Sequence, residues 1–265
     1  MAKIKLNFPL TNSLGDHSMY LMHGVEKTIL RAKGGPNLRQ VKTMPKLEKM
    51  RNNGSEFGGL GKLAGSIRRT LYAVTSLSDF NYSGALTAIA KNIQKMDTTS
   101  RHGKRDILLS QYPNMINGFN LTKKNPFDTI VTTSPITTIS RDQYKAEVSF
   151  PELFQGSNLK NPSGLPYFKI ICSMAIATDM VWSVNGYVPK NDQVQLNPVN
   201  TSTGWISTTQ GLPPTKFHLP LPAGSFLDET ATLIVAIGID FGYATTNEEI
   251  KSVKYGGSAK ILAVG

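Results

Sequence analysis

The sequence predicts an α+β fold: an N-terminal β-hairpin and helical segment, followed by an antiparallel β-sandwich, Ig-like or similar. Three observations lead there. Between Met44 and Met96 the apolar residues recur at steps of three and four, which is a helical period. After Asn125 the pattern changes to short alternating or continuous apolar runs separated by Pro- and Gly-rich turns, the pattern of a sandwich. The charge changes at the same place. Residues 1–125 hold 20 Lys and Arg against 7 Asp and Glu, a net of +13, whereas residues 126–265 hold 9 against 11, a net of −2. The expected division is a basic hairpin-plus-helices region over 1–125 and a β-sandwich domain over 126–265.

The elements follow in order. Ser18 to Arg31 reads as a hairpin with His23-Gly24 as its two-residue turn, since glycine accepts positive φ and histidine tolerates it. Lys33-Gly34-Gly35-Pro36 ends the second strand. Leu47, Met50 and Phe57 suggest a helix that breaks at Gly54. Leu60, Ala64, Ile67, Leu71 and Val74 form one face of a further helix. Gly58, Gly59, Gly61 and Gly65 each cost that helix about 1 kcal/mol relative to alanine, which implies close backbone packing or a helix ordered by its neighbours. A second helix spans about Tyr82 to Met96, capped by Asn81 or Ser83. A short third one is expected near Lys104 to Gln111, after a polar loop. Tyr144 to Phe150 alternates strictly and reads as a half-buried strand, hairpinned to Ile136–Ile139 through Arg141-Asp142-Gln143. Tyr167 to Ala177 and Ala231 to Ile239 are apolar enough for central strands. Lys216 to Leu221 holds Pro220 and belongs at an edge. Ser258 to Val264 is the last strand.

At 265 residues the chain is long enough to bury a core without disulfides or metals, and 40% hydrophobic residues exclude a wholly disordered chain. No apolar run approaches the roughly 18 residues of a membrane helix. Asn7, Pro9, Thr11 and Asn12 interrupt the N-terminal apolar stretch, so no secretory signal is read and the cytoplasm is the default location. The single Cys172 fits a reducing compartment.

Catalytic chemistry finds no constellation. Gly59-Leu-Gly61-Lys-Leu-Ala64 matches a relaxed dinucleotide pattern, yet a polar, helix-like stretch precedes it where a strand is required. Leu63 stands where a P-loop needs Ser or Thr. His17, His23, His102 and His218 lack i, i+4 partners and neighbouring cysteines, so no zinc site is supported. Cys172 sits in an apolar strand, where a thiol is a small hydrophobe. There is no G-x-S-x-G elbow. Asp228-Glu229 and Glu248-Glu249 read as loop charges. The expectation is a non-enzyme with no catalytic, cofactor-binding or metal-binding residues.

What remains is basic charge, in clusters at Lys27/Arg31/Lys33, Lys46/Lys49/Arg51, Arg68/Arg69, Arg101/His102/Lys104/Arg105 and Lys123/Lys124. Lys27, Arg31, Lys33, Arg68, Arg69, Arg101, Lys104 and Arg105 are the candidate interaction residues. The densest cluster is placed at the opening of the short third helix, where backbone N–H groups and arginine suit a phosphate. Few aromatics interleave with these bases, so single-strand stacking is poorly supported. The alternative is that these side chains solvate exposed faces or meet acidic residues on neighbouring copies.

Several phrases resemble a family of uncharacterised proteins of Bacteroidetes-type bacteria. They are Tyr20-Leu-Met-His-Gly-Val-Glu-Lys-Thr-Ile-Leu-Arg-Ala-Lys-Gly-Gly-Pro36, Asn53-Gly-Ser-Glu-Phe-Gly58, Met96-Asp-Thr-Thr-Ser-Arg-His-Gly-Lys-Arg105 and Gly118-Phe-Asn-Leu-Thr-Lys-Lys-Asn-Pro-Phe-Asp128. The resemblance extends over the chain to the Lys254–Val264 strand. It implies a full-length bacterial protein, non-enzymatic by default, and carries no site residue, since that family has no established activity. The reading is thus a structural or self-assembling protein, a subunit of a filament or other homopolymer, whose hairpin meets other copies by β-augmentation. The alternative is a nucleic-acid-binding protein that uses its basic half.

Overall fold

The N-terminal hairpin is the centre of a small sheet. In the computed structural model, which describes residues 2–4, 12–22, 25–191, 198–247 and 249–265, four strands lie in the order β1-β4-β3-β2. They are β1 (Ala2–Ile4), β2 (Asn12–Leu14), β3 (His17–Met22) and β4 (Val25–Ala32), and all neighbours are antiparallel. β3 and β4 pair from His17 opposite Ala32 to Met22 opposite Val25; the His23-Gly24 turn lies outside the described residues. The sequence pattern missed β2, a three-residue strand joined to β3 by Gly15-Asp16, where Gly15 takes a φ of 52°. Beyond the glycines, Asn37 opens helix α1 (Leu38–Thr43): its side chain accepts from the Gln40 amide while the Gln40 side chain accepts from the Asn37 amide, each at 2.8 Å.

The chain forms two compact units, Met1–Arg51 and Asn52–Gly265. The helices are α2 (Glu48–Thr70), α3 (Tyr72–Thr75), α4 (Ser83–Lys95) and α5 (Phe127–Ile130). Leu60, Ala64, Ile67, Leu71 and Val74 are all buried, as their spacing requires. The break expected at Gly54 is absent. α2 runs through it, because burial of Leu60, Leu63 and Ile67 outweighs the intrinsic cost of glycine. The short third helix is absent too. Residues 101–108 are loop, and only a 3-10 turn forms at Leu109–Gln111.

The remaining strands are β5 (Ile136–Ser140), β6 (Lys145–Phe150), β7 (Tyr167–Thr178), β8 (Met180–Ser183), β9 (Gly186–Pro189), β10 (Val199–Ser202), β11 (Ile206–Ser207), β12 (Thr215–Pro220), β13 (Ala231–Ala244), β14 (Ile250–Ser252) and β15 (Ser258–Val264). β7 and β13 pair antiparallel from Thr178 opposite Ala231 to Tyr167 opposite Gly242. β10 and β11 extend this sheet on the β7 side; β14 and β15 extend it on the β13 side. A second sheet runs β12-β6-β5, with Pro220 on its edge strand β12 as predicted.

Both faces of β13 are covered, which is why Ala231–Ile239 reads as a continuous apolar run. On one face Leu233, Val235, Ile237, Ile239 and Phe241 pack with Ala146, Val148 and Phe150 of β6 and Phe217 and Leu219 of β12. On the other, Ile234 and Ala236 pack with Leu63, Ile67, Leu71 and Val74 of the helices. A Cβ on Gly238 would come within 2.5 Å of Leu77, so the helical layer presses directly on the strand. The fold is α+β. Residues 52–125 share a core with the strands beyond 125, so the compact division at 51/52 differs from the change of charge at 125/126.

Candidate functional site

Within the densest basic cluster, Arg105 is tied to a buried carboxylate. Glu56 lies on the buried side of α2, one turn before Leu60, with its side chain 1% exposed. Arg105 donates to it from Nε and Nη2, both at 2.7 Å. Lys91 of α4 donates at 2.8 Å and the Gly103 amide at 2.9 Å. Burial alone would raise the Glu56 pKa; the hydrogen bonds from Arg105, Lys91 and Gly103 outweigh it and lower it to about 2. The hydrogen bond to Glu56 in turn raises the Arg105 pKa. His102 Nε2 reaches Asn53 Oδ1 at 2.9 Å.

Tyr187 completes the knot. Its hydroxyl donates to the Arg105 carbonyl at 2.7 Å and accepts from Gln94 at 3.2 Å. Its ring lies against Gly59, where a Cβ would sit 2.5 Å from Cγ. This is the close approach that the glycine-rich helix implies, and it occurs at Gly59; Gly54, Gly58 and Gly61 face open space. Asp97 fixes the preceding turn. Its Oδ1 accepts from the Thr99 and Ser100 amides and its Oδ2 from the Asp106 amide. Burial raises the Asp97 pKa, and these hydrogen bonds outweigh it and hold it well below the usual range.

The arrangement gives Arg105 an internal partner, and the N–H groups expected from a helix at this point are absent because there is no helix. Arg101 and Lys104 are exposed beside it, Lys104 Nζ lying 5.7 Å from the Trp182 ring centre. Arg68 and Arg69 are exposed near the end of α2, Arg68 donating to the Ser83 hydroxyl at 3.1 Å and lying over Tyr82. They stand 12 residues beyond Glu56, about 18 Å along the helix, so the two clusters do not converge. Arg31 and Lys33 are exposed on the N-terminal unit, Lys33 donating to the Gly15 carbonyl at 2.8 Å. Lys27 falls on β4, and its side chain lies outside the described residues.

That N-terminal unit has its own character. It carries ten Lys and Arg against three Asp and Glu, a net of +7. Among its described side chains only Thr28 and Ile29 are buried. β1 covers β4 from Thr28 to Leu30, and β2 covers β3 from His17 to Met19. Among the described residues no strand pairs with the outer edge of β1 or β2.

Sequence reasoning missed Glu56, Lys91, Gln94 and Tyr187. Glu56 carried a signal, since it continues the apolar stripe four residues ahead of Leu60, where a carboxylate must be buried and paired. Cys172 is fully buried, and burial pushes its thiol pKa well up. His218 is largely exposed on β12, 3.4 Å from Glu147. Gly59 to Ala64 lies inside α2 rather than at a strand-to-helix turn, so the dinucleotide pattern lacks its context. Among the described residues no His, Cys, Asp or Glu cluster could hold a metal, and no helix is long and apolar enough to cross a membrane. Comparison with protein-family models, curated proteins and solved structures gave no match, so the resemblance to a bacterial family rests on the quoted phrases alone.

Proposed function

We propose that the chain is a non-enzymatic structural subunit that associates with other copies of itself through the sheet of residues 1–51. One observation carries this reading: a four-stranded sheet whose described side chains bury only Thr28 and Ile29. A sheet needs an apolar face packed on something to be stable, and open edges template further strands. β-Augmentation between copies pairs those edges. A head-to-tail contact of that kind leads to a filament or a ring. In this reading β5 to β15 form a β-sandwich, Ig-like or similar, as the bulk of the subunit. The core shared by the two sheets supports it. Light scattering on the full chain and on a chain lacking residues 1–35 tests the proposal. The full chain is expected to exceed the monomer mass and the shortened chain, which loses every strand of the sheet, to fall toward it. A full chain that is monomeric at high concentration ends the reading.

The net +7 of residues 1–51 and the exposure of Arg68, Arg69, Arg101 and Lys104 favour a second reading, binding to nucleic acid. It predicts retention on heparin at low salt and affinity that falls steeply as salt rises. Elution in the void at low salt removes it.

A further inference from the structure

We propose that the cleft beside the β5–β6 turn receives helix α1 of a second copy. The proposal rests on the self-association proposed above and adds a second contact to its strand pairing.

The cleft is open to solvent, has a volume of about 780 Å³ and is lined by Arg141, Asp142, Tyr144, Leu227, Asp228, Glu229 and Thr232, among others. The Arg141 guanidinium is held by the main chain. Nη1 donates to the carbonyls of Ala231 at 2.8 Å and Gly265 at 3.1 Å, and Nη2 to that of Asp228 at 2.7 Å. The Asp228 carboxylate accepts from Asn191 and from the Thr230 amide and hydroxyl, at 2.7–2.9 Å. Three carboxylates against one guanidinium leave the lining at a net −2.

α1 is the complementary part. Its six residues include none that is buried, and Leu38 is 75% exposed. Arg39 and Lys42 are exposed on the same helix and give it a net +2. Its ends are fixed before any docking. Asn37 and Gln40 cap the start, and Arg51 donates to the carbonyls of Val41 and Met44, both at 2.8 Å, at its end. A rigid, basic knob with one apolar side chain fits a cleft with an acidic rim and the apolar sides of Leu227 and Tyr144. Phosphate is repelled by the same rim. Because α1 and the cleft are different surfaces, each copy offers one to the next, and the contact propagates.

Two charge reversals of exposed residues test this on the full chain by sedimentation velocity. Arg39→Glu with Lys42→Glu is expected to weaken self-association at least about tenfold, and Asp142→Lys with Glu229→Lys to do the same. Mixed together, the two variants are expected to assemble again, since each acidic α1 meets a basic cleft and each basic α1 an acidic one. Unchanged circular dichroism shows that both variants are folded. Variants that assemble like the unaltered chain, or a mixture that stays as weak as its components, overturn the α1 contact and leave self-association standing. An unaltered chain that stays monomeric at high concentration removes both proposals.

Discussion

The two units of this chain solve the same problem differently. In residues 52–265 the paired strands β7 and β13 are covered on both faces, and the buried charge of Glu56 is fully partnered. In residues 1–51 four strands share a sheet whose described side chains bury two residues. Folding entropy costs about 1–2 kcal/mol per residue and is offset chiefly by apolar burial. The larger unit holds that offset within itself. Among the described side chains of the smaller one only Thr28 and Ile29 supply it, and in the self-association proposed above another copy supplies more.

The contrast can be broken or sharpened by substitution. The largest effect is expected in the larger unit's core. Phe241 is fully buried beside Phe168, and Phe241→Ala should lower stability by about 3–5 kcal/mol in a denaturant titration. A loss under 1 kcal/mol contradicts the packed core. Glu56→Ala comes next, at about 3 kcal/mol, since it leaves Arg105 and Lys91 without their carboxylate. The same group gives a pH signature. Its folded pKa of about 2 lies below the ordinary 4.5, so its contribution is complete above about pH 4.5 and is lost as pH falls toward 2. The E56A chain should therefore lose less stability than the unaltered chain across that window. Gly59→Ala places a methyl in the Tyr187 ring and should cost about 1–3 kcal/mol. Gly58→Ala, one residue away on the open side of α2, should stabilise by about 0.5–1 kcal/mol. Equal shifts at 58 and 59 would remove the close approach of Tyr187 from the account.

Strands were more legible than the site. Ala231–Ile239, Tyr167–Ala177 and Ser258–Val264 announced themselves because a strand covered on both faces, or one closing such a sheet, must be apolar along its length. Pro220 marked an edge because proline cannot donate to a ladder. The helix through Gly54 was not legible, because burial elsewhere on α2 overrides local propensity. The helix expected near Lys104 fails for a similar reason. Glu56, Asp97 and Asp179 hold residues 97–110 by side-chain hydrogen bonds to the Gly103, Asp106 and Ser110 amides. Those partners are 47 to 69 residues away for two of the three, beyond any local pattern. Arg105 looked like a surface charge for the same reason: its carboxylate lies 49 residues earlier.

Hydrogen exchange on the full chain, at low and at high protein concentration, tests the central claim most directly, because it reads both units in one sample. Amides of β1 to β4 are expected to exchange quickly in dilute solution and to gain protection as concentration rises. Those of β7 and β13 should stay protected throughout. Protection in β1 to β4 that does not change with concentration would contradict it.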